Sequence, residues 1–125
     1  MFSQLQAFRF KRTFTVRTVN PFPRGILLVT PESKVKKKVK EALEHIGAYY
    51  TMPVTSGYGR SGVPDFIVCL NGRFIGIECK AGKGKPTALQ LDNLDRIEKC
   101  GGVSLLINED NVVHLVSYLK GFSNA

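Results

Sequence analysis

The segment Gly62–Lys80, GVPDFIVCLNGRFIGIECK, constrains the fold of this chain more than any other. Two apolar runs flank Asn71-Gly72, the dipeptide most typical of a two-residue type I′ hairpin. With that turn the register follows by counting. Leu70 faces Arg73, Val68 faces Ile75, Phe66 faces Ile77, and Asp65 falls directly opposite Glu78. Directly opposed residues have Cβ atoms about 4.5–5.5 Å apart and share a face. Lys80, two residues beyond Glu78, lies on that same face.

Carboxylates opposed across a ladder repel. A hard divalent cation between them removes the conflict, and Mg²⁺ is commonly held by one or two carboxylates together with phosphate and water. The adjacent lysine then places positive charge where negative charge develops, or orients an attacking water. The hairpin alone leaves a second reading open, in which the turn lies elsewhere and these are ordinary rim charges.

Charge points to the class of partner. The 125 residues suffice for one domain with a single core. A formal charge of +8 and an isoelectric point near 9.6 predict a polyanionic partner, nucleic acid or an acidic membrane surface. No apolar run reaches the roughly 18 residues of a transmembrane span. The basic N-terminus lacks the apolar core of a signal peptide, so a cytoplasmic protein is expected. Cys69, Cys79 and Cys100 have no metal-ligand spacing and read as buried thiols in a reducing compartment.

Residues 1–29 form a basic arm or extra strands ahead of a domain spanning 30–125. Phe8, Phe10, Phe14 and Val16 alternate with Arg9, Lys11, Thr13, Thr15 and Arg17, the period of a strand with one aromatic and one basic face. An arm gripping DNA or clasping a second copy fits this pattern. A hairpin covering the domain's own sheet is the preferred account of the phenylalanines, and nucleic-acid contact that of the cations. Thr30 and Pro31 then mark a helix start, with apolar residues at Val35, Val39, Ala42, Leu43 and Ile46 and a stop at Gly47. Glu32 complements the helix dipole, yet it shares a stripe with Val35, Lys36 and Val39, which face the core. Lys34, Lys36, Lys37, Lys38 and Lys40 either form a solvated face or contact phosphates, with Lys36 and Lys37 as the candidates.

Ala48–Thr55 reads as a strand in which Pro53 argues for an edge position or a bend. The glycine-rich loop that follows offers Arg60 and Ser61 beside Asp65, either as a loop without function or as a DNA contact, and the second is favoured. After Lys80 comes a second basic loop with Lys83 and Lys85. Thr87 and Gln90 form a capping box for a helix with Leu91, Leu94 and Ile97 on its apolar stripe. Val103–Ile107 is a buried strand, Val112–Leu115 a further strand, and Ser117–Gly121 a short helix. The fold class is therefore α/β, a mixed sheet flanked by helices.

Pro64-Asp65, a hairpin, and Glu78-Cys79-Lys80 resemble the PD-(D/E)xK nuclease signature. With Gly62-Val63, Gly76-Ile77, Gly82, Gly84-Lys85, Thr87 and Gln90 the resemblance extends to the stand-alone VRR-NUC branch, over roughly residues 32–116. It implies a restriction-endonuclease-like core and Mg²⁺- or Mn²⁺-dependent hydrolysis of phosphodiesters. It further implies metal ligation by Asp65, Glu78, Glu32 and the backbone carbonyl of Cys79, with Lys80 and Gln90 completing the catalytic set. Stand-alone members resemble Holliday-junction resolvases, so branched DNA and a homodimer are expected, with no membrane and no organic cofactor. The rival from another class is a basic DNA-binding module without catalysis. It accounts for the charge but not for three acids and a lysine converging on one face.

Overall fold

The computed structural model describes residues 29–54 and 59–122. In these residues helix α1 (Pro31–His45) precedes strands β1 (Tyr49–Thr51), β2 (Phe66–Leu70) and β3 (Arg73–Cys79). Helix α2 (Ala88–Lys99), strand β4 (Val103–Ile107), a 3₁₀ turn (Val112–His114) and helix α3 (Leu115–Lys120) follow. The sheet order is β1-β2-β3-β4. The first three strands are antiparallel, and β4 joins β3 in parallel through the α2 crossover. This is the expected mixed sheet flanked by helices. The proposed N-terminal strands lie outside the described residues.

The hairpin has the anticipated register, with Leu70 opposite Arg73, Val68 opposite Ile75 and Phe66 opposite Ile77. Asn71 and Gly72 take φ of 51° and 78°, the positive values at both central residues that a type I′ turn requires. Alternation then gives β3 two different faces. Ile75, Ile77 and Cys79 pack with Phe66, Val68, Leu105 and Ile107 against Val35, Val39 and Leu43 of α1 and Leu115 and Leu119 of α3. The opposite face carries Phe74, Gly76 and Glu78. There α2 docks through Leu94 on Leu106, and it approaches closely because Gly76 has no side chain. A Cβ at Gly76 would stand 2.6 Å from Ile97 Cδ1.

Three expectations require correction. The strand after α1 ends at Thr51, because no ladder bond continues into the Pro53 segment, although it does occupy the sheet edge. Residues 112–115 are a 3₁₀ turn entering a helix, not a strand. Asn108 Oδ1 accepts from the backbone N–H groups of Asp110 and Asn111, and the Asn111 side chain bonds back to Asn108 and Leu106. These side-chain bonds curl the chain before a strand can extend, and Val112, Leu115 and Leu119 then bury at helical spacing. Finally, only Cys79 is a buried thiol. Cys69 and Cys100 are exposed, the first on sheet surface that α2 does not reach, the second at the α2 C-cap.

Candidate active site

The chemistry-bearing side chains gather where β3 ends and β2 begins, between the N-termini of α1 and α2. Each arrives by a local rule. Thr30 accepts from Ser33 N–H and starts α1, so Glu32 and Lys36 lie one turn apart. Gly62, at φ 77°, tucks the loop under α2; a Cβ there would stand 2.6 Å from Leu89 Cγ. Asn93 secures the same turn by donating to the Ser61 and Leu89 carbonyls at 3.3 and 2.8 Å. Pro64 then delivers Asp65 to the end of the ladder.

Asp65 Oδ2 accepts the Cys79 backbone N–H at 2.8 Å, in the position that a further β2 ladder bond would occupy. Its Oδ1 lies 3.3 Å from Lys36 Nζ. Lys36 also reaches Glu32 Oε2 at 3.6 Å. Lys80 Nζ lies 3.7 Å from Glu32 Oε1 and 3.4 Å from Glu78 Oε1. Gln90 closes the set: its Nε2 donates to Glu78 Oε1 at 2.9 Å, while its Oε1 accepts the Thr87 N–H at 2.9 Å. The capping box thus fixes the amide so that its donor end meets the buried acid. Capping, read from the residues, and a place beside the acids, implied by the resemblance, are one arrangement.

Glu78 is the strained member. It is 1% exposed, and its Oε2 is buried with no hydrogen-bond partner. Burial and the nearby Asp65 push its carboxyl up to about 7, against the opposing pull of Lys80. Burial disfavours the Lys36 ammonium, but Asp65 and Glu32 outweigh it and hold Lys36 above the usual lysine range. Three carboxylates against two ammoniums leave the cluster short of positive charge whenever Glu78 is ionised. Cys79 points into the apolar core, where burial pushes its thiol up and keeps it protonated.

Among the described residues no three His, Cys, Asp or Glu side chains form a ready-made cage. The orphaned Glu78 oxygen beside Asp65 nevertheless offers the hard oxygen donors that Mg²⁺ takes in its sparse mode of binding. The residues present fit such an ion through Asp65 and Glu78.

The other candidates are distributed differently. Lys36 turns into the cluster, whereas Lys37 is on the exposed side of α1. Lys83 and Lys85 are exposed on the loop after β3, and Arg60 and Ser61 are exposed before Gly62. Two supporting residues escaped the sequence reading. Asn93 lies one turn beyond Gln90, a spacing that would have placed it on the same helix face. Glu109 accepts the Gly82 N–H at 2.9 Å and anchors the loop after Lys80; its partner is 27 residues away, and no local pattern announces it.

Over 82 residues the chain is 33% identical to "Putative nuclease p44" of Acyrthosiphon pisum secondary endosymbiont phage 1, spanning 65% of this chain and 86% of that protein. A solved structure described as "VRR_NUC domain" superposes with a TM-score of 0.61 at 29% identity, covering 72% of this chain and 98% of the other. No protein-family model matches. Shared sequence over most of a phage relative and a shared fold over nearly all of a solved domain have one source: this chain belongs to the VRR-NUC family of nucleases.

Proposed function

We propose that the protein is a Mg²⁺- or Mn²⁺-dependent endonuclease that hydrolyses phosphodiester bonds in branched DNA, in the manner of a Holliday-junction resolvase. The observation that carries the reading is the buried Glu78 with one oxygen unpartnered, opposite Asp65 and between Lys80 and Gln90. An enclosed acid with a raised pKa is costly to a fold, and such groups concentrate at functional sites.

Asp65, Glu78 and the Cys79 carbonyl would hold the ion, with Glu32 joining directly or through water. An ion held there would supply Lewis-acid chemistry for phosphodiester hydrolysis. The protein's own groups supply the rest. Lys80, 15% exposed and anchored between two carboxylates, orients the water or stabilises charge on the phosphate. Gln90 holds Glu78 in place and acts as a positioning residue. Lys36 neutralises Asp65 and Glu32 in the metal-free state. Lys37, Arg60, Ser61, Lys83 and Lys85 lie outside the cluster as contacts for the DNA backbone.

In this reading residues 30–125 are the nuclease domain and residues 1–29 a basic arm. A homodimer supplies two sites for the paired strands of a junction. Among the described residues no helix is long and apolar enough to cross a membrane, and the protein acts in the cytoplasm.

Labelled single-stranded, duplex, flap and four-way-junction DNAs incubated with Mg²⁺, Mn²⁺ or EDTA test the assignment. Wild type should cut the junction only with metal, and Asp65→Ala and Lys80→Ala should not. Tight binding without cutting in any metal would leave a DNA-binding module instead. Light scattering that finds only monomer, with and without junction DNA, would remove the dimer.

A further inference from the structure

Glu78 shares its sheet face with Phe74, and at the Phe74 end of β3 a second feature opens. A pocket of about 360 Å³ lies between the strand and the C-terminal half of α2, within the size range of about 300–1,000 Å³ typical of ligand sites. Arg60, Arg96, Phe74, Asn93, Ile97 and Cys100 line it, and no carboxylate does. Among the described residues neither arginine is paired with an acid. The Phe74 side chain is 47% exposed, an unusual position for a large apolar ring on a strand otherwise so well covered.

The chemistry is specific in combination. Two unpaired guanidiniums call for an anion, and their planar forks match phosphate. An open aromatic ring beside them calls for a flat partner that stacks. Position adds a third constraint. Phe74, Gly76 and Glu78 alternate along one strand face, so Phe74 stands about 13 Å from Glu78 at about 3.3 Å per residue. Nucleotides in a stacked strand rise about 3.4 Å each, so this span amounts to about four nucleotides at the least, and more where the strand skirts the Ile97 and Pro64 side chains that cover Gly76.

We propose that this pocket binds an unpaired nucleotide of the DNA substrate, its base stacked on Phe74 and its phosphate held by Arg60 and Arg96. Bases inside a duplex are already stacked and paired, so only an unpaired nucleotide near a branch, flap or end can use the ring. The pocket therefore selects for substrate structure rather than for sequence. The inference rests on the nuclease reading only for the identity of the polyanion; the site itself is separate from the carboxylate cluster.

The test uses the full chain in EDTA, where cutting is absent. Oligonucleotides carrying one 5-iododeoxyuridine at successive positions of an unpaired strand are irradiated, and the crosslinked peptide is mapped. Crosslinking to the Phe74 peptide is expected, and Phe74→Leu should abolish it. By fluorescence anisotropy, Phe74→Leu and Arg96→Gln should each weaken binding of unpaired DNA about tenfold. Blunt duplex should change less than about twofold for Phe74→Leu, since only stacking is removed. Single-stranded DNA should also slow alkylation of Cys100 by iodoacetamide.

Wild-type affinity for unpaired DNA in a Phe74→Leu protein with an unchanged circular dichroism spectrum overturns the proposal. So does crosslinking confined to residues outside the pocket. A clear preference for the RNA form of the same oligonucleotide overturns the assignment to DNA. Failure to cut in any metal, with the crosslink intact, would count against the nuclease reading and leave the pocket standing. Normal cutting without the crosslink would do the reverse.

Discussion

The two faces of β3 make opposite use of one seven-residue strand. Ile75, Ile77 and Cys79 are fully buried among apolar neighbours from both α1 and α3. One residue out of phase, Phe74 remains open, Gly76 admits α2, and Glu78 is buried against charged partners. The first face follows the rule that apolar side chains leave water, and it stabilises the domain. The second breaks that rule at Glu78, where an acid is enclosed with an unsatisfied oxygen. A strand carrying only the first face would fold as well or better. In the proposed function this second face carries the chemistry, and it is held in place by the first.

Substitutions that strike one face and spare the other test this division. The largest effect is expected on activity. Asp65→Ala and Lys80→Ala should each lower the cleavage rate by about a thousandfold, the scale on which aligned electrostatic groups act. Their Tm should move by only a few degrees, because both side chains are partly exposed. Cleavage and thermal melting measured on the same preparations decide it. A Lys80→Ala protein that cuts as wild type would assign the second face to structure alone. Ile77→Ala reverses the pattern. Deleting this fully buried side chain should cost about 2–5 kcal/mol in a urea melt, with the rate per folded molecule retained at low temperature. A loss of rate as large as that of Lys80→Ala would show that the faces are not separable.

A smaller effect, and one of characteristic sign, belongs to Glu78. Its carboxyl lies near 7 in the folded protein, above its unfolded value of 4.5. The group therefore contributes stability that is fully present below pH 4.5 and is lost as pH rises through 7, the reverse of an ordinary ion-paired acid. A shift of this size is worth on the order of 3 kcal/mol. Urea melts of metal-free protein should show a component that weakens between those pH values, and Glu78→Gln should remove it. If Glu78 holds the proposed ion, Mg²⁺ should restore stability at the upper end of the range, because such a site exists only in the folded state. Identical pH profiles for wild type and Glu78→Gln would sink the claim that this acid is held under strain.

The parts of the molecule that could be read from sequence are those fixed by short-range chemistry. The Asn71-Gly72 turn sets a register that carries Asp65 to Glu78 by counting. Thr30-Pro31 and Thr87 with Gln90 mark helix starts that the structure reproduces. The Glu32 stripe was visible because a helix repeats within a few residues. What was missed depends on longer contacts or on side chains competing with the backbone. Val112–Leu115 alternates like a strand, but just before it the Asn108 and Asn111 side chains accept the N–H groups of Asn108, Asp110 and Asn111 and turn the chain into a helical path. The exposure of Cys69 depends on how far α2 extends over the sheet, which no window around Cys69 reports. For Lys36, a candidate phosphate contact on a lysine-rich helix, the pairing with Asp65, which arrives from a distant hairpin, has no local signal.

Gln90 joins the two kinds of information, because a local cap aims it at a distant acid. It also gives the smallest expected effect and the finest division between stabilising and functional roles. Gln90→Ala removes half of the capping box, which should cost about 0.5–1 kcal/mol. It also removes a donor from Glu78, leaving the acid free to rotate away from Asp65. Gln90→Glu can still accept the Thr87 N–H and so should recover most of the lost stability. It cannot donate to an ionised Glu78 and adds a like charge beside it, so activity should fall below that of Gln90→Ala. Melting and cleavage of the two variants should therefore rank them in opposite orders. If activity instead follows stability, Gln90 is a helix cap and nothing more, and the hydrogen bond to Glu78 has no part in the reaction.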